Sequence, residues 1–240
     1  MVDRPIIFSG PMVRALLTGR KTQTRRLVSS PLARCAVGDR LWVRESFRAE
    51  ELCRPPVNLP ATRRERQASG RTHMAVLDEL DGADGIRYAA DDQWARIEDT
   101  PRAAEDWMKA FHYGCVGGAR PSGLVGKGVP SIHMSRWASR LTLIVTEVRR
   151  QPLQEITTHD ATAEGIERAD GNWRCYDDRQ SHALTPRESF CSLWESLHDK
   201  PGERWSDNPE IVALTFTVTA ENIDRMAAPS AADPQEAARG

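Results

Sequence analysis

The stretch "RLTLIVTEV", residues 140–148, constrains the fold more than any other. Leu141, Leu143 and Val145 alternate with Thr142, Ile144 and Thr146, and that period of two sends neighbouring side chains to opposite faces of a strand. "VGDRLWVRESF", residues 37–47, is a turn feeding a strand, with Leu41, Val43 and Phe47 set against Trp42, Arg44 and Ser46. "PIIF" near the start and "EIVALTFTVTA" at residues 210–220 complete the set of strands. Strands cannot leave their backbone groups unpaired, so segments this far apart must meet in a sheet. Strands with few helices between them, returning to a last strand near the C-terminus, predict an α+β fold: a small β-barrel or rolled sheet with peripheral helices.

The helices are marked by their ends. Ser9 can cap a helix with Pro11 in its first turn, an apolar stripe of Met12, Val13, Leu16 and Leu17, and a stop at Gly19. Thr100 caps "PRAAEDWMKAFH", and a short helix through "HDATAEG" ends at Gly165. The best-specified helix follows Thr185, which forms a capping box with Glu188 around Pro186. Phe190, Leu193, Trp194 and Leu197 then fall at i, i+3, i+4 and i+7.

Between about residues 49 and 130 the periodicity fades, and "RPPVNLPATRRERQASGRTH" has the Pro- and Arg-rich composition of a flexible excursion. "IRYAA" reads as a short strand within it. "GCVGGARPSGLVGKGVPS" fails the spacing of a phosphate-binding loop and reads as a long connector, so no cofactor is expected. The chain is therefore a single domain over residues 1–225 with an irregular insertion at about 49–130. An Ala/Pro-rich tail over 226–240 is expected to be disordered.

Composition narrows the partners. A formal net charge of -1 excludes a globally basic nucleic-acid coat, so any such contact has to be a local patch. No apolar stretch approaches the roughly 20 residues needed to span a bilayer, and no membrane partner is expected. Five scattered cysteines without a C-x-x-C fit a reducing cytoplasm. Cys175, His182, Cys191 and His198 match no standard zinc spacing, so no metal is expected.

Against that neutral background "GRKTQTRR", residues 19–26, gathers Arg20, Lys21, Arg25 and Arg26 around Thr22 and Thr24. A charge run is most often a solvated face. Here an amine beside a hydroxyl can also be a base with its nucleophile, provided burial and neighbouring cations lower the lysine pKa. The same cations can equally hold a phosphate or a polar base edge. In a plain strand Lys21 and Thr24 point to opposite faces, so a shared site requires a turn or bulge.

"LLTGRKTQTRR" followed by "VGDRLWVRESF" resembles the opening of the ASCH family, a relative of the PUA RNA-binding fold. The family's G-x-K-x-x-x-x-R pattern stands here as Gly19, Lys21 and Arg26. "PSIHMSRWASRLTLIVTEVRRQPLQEIT" resembles the larger ASCH proteins common in phages and prophages, with Ser135 where the family usually has proline. The resemblance covers about residues 4–50 and 129–220. It implies a PUA-like barrel with a cleft and a role in RNA binding.

The family's small bacterial members include amidohydrolases that remove the acetyl group from N4-acetylcytidine with a lysine, a threonine and a glutamate. The resemblance carries these roles to Lys21, Thr24 and Glu164, with Glu155 and Glu167 as neighbouring candidates for the third. The implied substrate is a modified cytidine, free or in RNA. In the rival reading the chain is a non-catalytic RNA- or nucleic-acid-binding module of phage or prophage origin, and the cations only hold phosphate. In either reading Arg20, Arg25, Arg26 and Arg44 are candidate binding residues. Trp137 can stack on a base while Arg136 holds phosphate, or it can be a plain core tryptophan. His133 reads as a hydrogen-bonded structural histidine.

Overall fold

The computed structural model describes residues 1–52, 83–112, 123–169, 171–177 and 182–226. Its largest sheet has five strands: β1 (Asp3–Ile7), β2 (Gln23–Leu27), β3 (Arg40–Arg44), β8 (Thr142–Pro152) and β11 (Glu210–Thr219). Their order is β1-β3-β8-β11-β2. β1 runs parallel to β3, and every other pair is antiparallel. The strands expected at "PIIF", "RLTLIVTEV" and "EIVALTFTVTA" lie in this sheet, and the one expected at "VGDRLWVRESF" lies in it as far as Arg44, while Phe47 begins a strand of a second sheet.

The fold is mixed α+β, and the hydrogen-bonded ladder ends on β1 and β2 instead of closing. The two edges nevertheless approach through a side chain, since Arg26 Nη2 of β2 donates to the Ile7 carbonyl of β1 at 3.3 Å.

Both faces of the sheet are covered, and β11 shows why its sequence is so apolar. Val212, Leu214 and Phe216 enter one core with Phe8, Val13 and Leu16. Ile211 and Ala213, on the alternate positions, enter another with Ala161, Phe190 and Trp194. A strand buried on both sides reads as a nearly continuous apolar run.

The first core is capped by helix α1 (Gly10–Leu17) and the second by α3 (Thr158–Ala163) and α4 (Pro186–Leu197). The capping box at Thr185 and Glu188 forms as expected. Leu197 does not join the α4 stripe: it is 70% exposed, because the helix ends there and its last turn overhangs the core. Ser9 occupies the N-cap of α1 without a side-chain hydrogen bond.

The insertion is more regular than its composition predicts. β4 (Phe47–Leu52), β5 (Ala83–Tyr88), β6 (Trp94–Arg96) and β7 (Gly123–Val129) form a second, antiparallel sheet in the order β6-β5-β4-β7. Helix α2 (Pro101–His112) packs against it, with Thr100 Oγ1 accepting from the Ala103 N–H. The second half of the glycine-rich connector is thus strand β7. Its glycines supply no period-2 signal, so only pairing with β4 makes it a strand. The Arg/Pro-rich stretch with Arg63, Arg64 and Arg66, and the tail from residue 227, lie outside the described residues. A two-stranded ribbon, β9 (Arg168–Ala169) with β10 (Asn172–Trp173), completes the set.

Candidate functional site: a buried lysine–glutamate cluster

The basic stretch leaves α1 through Gly19, whose φ of +71° lets the chain reverse tightly. The Lys21 N–H then donates to the Ala15 carbonyl at 3.0 Å, which holds the lysine against the helix it has just left. Lys21 also forms an isolated antiparallel bridge with Glu164, the C-cap residue of α3. Two residues later the chain enters β2. The bridge sets Lys21 on the side that Gln23 and Arg25 take within the strand, against Glu164.

Within β2 the alternation is strict and it divides the cations. Gln23 and Arg25 face α3 and α4. Arg25 Nη1 donates to Glu164 Oε1 at 3.0 Å and to Gln23 Oε1 at 2.6 Å, and its Nη2 lies 3.0 Å from Asp160 Oδ2. Thr24 and Arg26 face the other core. Arg26 Nη1 donates to Thr24 Oγ1 at 2.8 Å, and its guanidinium carbon lies 5.4 Å from the Phe8 ring centroid.

Lys21 touches both sides. Its Nζ donates to the Glu164 carbonyl at 2.7 Å and to Glu164 Oε2 at 2.9 Å, and it lies 5.3 Å from the same Phe8 ring. Lys21, Thr24 and Glu164 are 1%, 0% and 4% exposed. Burial pushes the Lys21 pKa below its ordinary value. Glu164 opposes that shift, and Arg26 and Arg25 reinforce it.

The structure therefore joins Lys21 directly to Glu164, while Thr24 lies on the other face of β2, bonded to Arg26. Arg25 faces two carboxylates inside the protein. Arg20 is exposed, and its Nη1 reaches the Gly165 and Ile166 carbonyls at 3.4 Å each. Arg44 lies over Trp42 and donates to the Ile132 carbonyl, while Glu45 pairs with Arg140 at 2.9 Å. Arg136 is held by Asp3 and Asp224, each 2.6 Å from its Nη2. Trp137 packs on the core of the second sheet. His133, expected to be structural, is exposed.

Asp160 completes the cluster and was not singled out from the sequence. It pairs with Arg25 and also accepts from Arg149 Nη2 at 3.0 Å. The available signal was its place four residues before Glu164, which sets two carboxylates on one side of a short helix. Among the described residues no group of three or more His, Cys, Asp or Glu is placed to hold a metal ion, and no helix is long and apolar enough to cross a membrane. No protein-family model, curated protein or solved structure matches the chain.

Proposed function

We propose that the chain is an amidohydrolase that removes an acyl group from N4-acylated cytidine, as nucleoside or in RNA, on a PUA-like barrel of the ASCH type. The single observation that carries this reading is the buried contact between Lys21 Nζ and Glu164 Oε2. Curling of the sheet, which brings Arg26 to the β1 backbone, supports the barrel.

The chemistry follows from one proton shared by that pair. Moving it from Nζ to Oε2 leaves a neutral amine and a carboxylic acid, the two forms a base and an acid must have. Neutral Lys21 takes the Thr24 hydroxyl proton, and Thr24 Oγ1 bonds to the acyl carbon. The amide C–N bond breaks as Glu164 protonates the departing cytosine amine. Water then attacks the acyl-threonine and gives a proton to Glu164, while Lys21 returns one to Thr24 Oγ1. Both residues end as they began. Arg26, already 2.8 Å from Thr24 Oγ1, supplies positive charge to the oxyanion. At rest Thr24 is bonded to Arg26, and the reaction asks its hydroxyl to turn toward Lys21.

A second reading, a non-catalytic nucleic-acid-binding module, draws on the near-complete burial of Lys21, Thr24 and Glu164. In it the cluster only ties α3 to β2, and outward cations such as Arg20 hold phosphate.

Lys21→Arg separates the two readings, because a guanidinium does not give up its proton in a protein. The measurement is acetyl release from N4-acetylcytidine, beside a salt titration of RNA affinity, for the wild type, Lys21→Arg and Lys21→Ala. Release by the wild type that falls at least about a hundredfold in Lys21→Arg, with binding kept, is the expected result. Absence of release from any N4-acylcytidine, with salt-sensitive RNA binding, would leave the binding module.

A further inference from the structure

A cavity of about 540 Å³ opens against the second sheet, between α2 and the segment that follows β7. Its walls include Phe47, Ala110, Val129, Pro130 and Trp137, and Asp106 and Lys109 of α2 are part of the lining. The volume is within the range of small-ligand sites, and the mix of apolar walls with few polar groups is typical of them.

The carboxylate is held in an unusual way. Ser135 Oγ donates to Asp106 Oδ2 at 2.7 Å, and Trp137 Nε1 donates to the same oxygen at 3.1 Å. Both donors therefore lie on one oxygen, and among the described residues Oδ1 accepts no hydrogen bond. Lys109, one turn away on α2, pairs with Glu105 at 2.7 Å instead. Two donors fix the carboxylate's orientation and pin the Trp137 indole beside it. What is left is an acceptor of negative charge next to flat aromatic walls. A planar ring carrying an N–H donor satisfies both at once.

We propose that this cavity binds an amino-bearing nucleobase, with the ring against Trp137 and its exocyclic amine donating to Asp106 Oδ1. An ionised carboxylate only accepts, so it suits the amine of cytosine and repels the carbonyl that uracil presents at the same position. The ring-stacking part is indifferent to that choice, because every base has a π-face. The Lys21 cluster is not involved, and the inference stands whether or not the chain is a hydrolase.

The test is isothermal titration of the full chain with cytidine and with uridine, repeated with single-stranded oligocytidylate and oligouridylate. Cytidine should bind at least about tenfold more tightly than uridine, the discrimination expected of one good polar contact to a base edge. If the nucleoside binds by itself, a free ligand suffices. If only oligocytidylate binds, the source is an unpaired base in a strand.

Asp106→Asn is the decisive variant. Its amide oxygen can still take the Ser135 and Trp137 donors while its NH₂ faces the cavity, so the preference should reverse toward uridine. Trp137→Ala should weaken cytidine about tenfold, and Trp137→Phe, which keeps a ring, should stay within a few-fold of wild type. Loss of binding from misfolding weakens both bases together and spares no variant. A reversal cannot arise that way. Equal affinity for cytidine and uridine, binding that responds to Lys21→Arg but not to Trp137→Ala, or no binding of either nucleoside or strand would each overturn the proposal.

Discussion

Lys21 Nζ lies 2.9 Å from Glu164 Oε2, a contact between residues 143 positions apart in the chain. It is one edge of a run of linked charges. Glu164 also accepts from Arg25, Arg25 pairs with Asp160, and Asp160 accepts from Arg149. The two carboxylates of α3 are thus shared among three cations from β2, its approach and β8. Buried charges of this kind are costly unless each keeps a partner.

That sharing makes the two sides of the pair unequal. Glu164→Gln removes the negative charge that Lys21 and Arg25 share and leaves two buried cations with Asp160 as the one counter-charge among the described residues in contact with either. It should destabilise by about 3–5 kcal/mol. Lys21→Met leaves Glu164 still bonded to Arg25 at 3.0 Å, and its apolar side chain keeps much of the packing. It should cost about 1–3 kcal/mol, the penalty for a carboxylate losing one of its donors. Urea unfolding of both variants gives the comparison. A greater loss for Lys21→Met would mean that Glu164 is not the shared counter-charge described here.

Gly165 sets the approach of α3 to the lysine. Its φ is +82°, and a Cβ there would come within 2.8 Å of Lys21 Cβ and 2.9 Å of Ala15 Cβ. Gly165→Ala therefore adds overpacking to left-handed strain, for a loss of about 2–4 kcal/mol. Gly202 has the same conformation, φ +83°, with nothing within 4 Å of a built Cβ. Gly202→Ala should cost only the strain, about 1–2 kcal/mol. Thermal unfolding of the pair isolates the packing contribution, and equal losses would show that the close approach to Lys21 is relieved without cost.

Glu45 carries the clearest pH dependence. Burial raises its pKa above the ordinary value of 4.5, and hydrogen bonds from Arg140 hold that rise in check. Arg140→Met removes the check, so the folded-state pKa climbs further. Between 4.5 and that higher value the folded protein binds more protons than the unfolded chain, and stability falls as pH rises through the window. The variant should be destabilised by about 3–5 kcal/mol near neutrality. Its deficit relative to wild type should shrink as pH is lowered toward 4.5. Stability curves against pH measure this, and a deficit independent of pH would put the loss in the ion pair of Arg140 with Asp91 or in packing against Tyr88, whose ring centroid lies 3.9 Å from the Arg140 guanidinium carbon.

The residues alone disclosed what depends on near neighbours. Alternation at Leu141, Leu143 and Val145 placed β8, the Thr185–Glu188 box placed the start of α4, and Gly19 placed the turn after α1. Each is a backbone preference expressed within a few residues, so no distant contact is needed to read it. The crowding of cations at residues 19–26 was equally visible, and so was the need for an irregularity before Lys21 could share a site with Thr24. Its destination was not. Arg25 and Arg26 are adjacent and chemically identical, yet one faces Glu164 and the other Thr24, because pairing of β2 with β11 decides which face each occupies. The second sheet was hidden for a related reason. β7 is glycine-rich and has no period of its own, and only its ladder with β4 makes it a strand. Asp106 gave no sign at all, since an aspartate in a helical run looks solvated until Ser135 and Trp137 arrive from beyond the next strand to hold it. Packing between distant segments chooses partners for charges, and no local rule contains that choice.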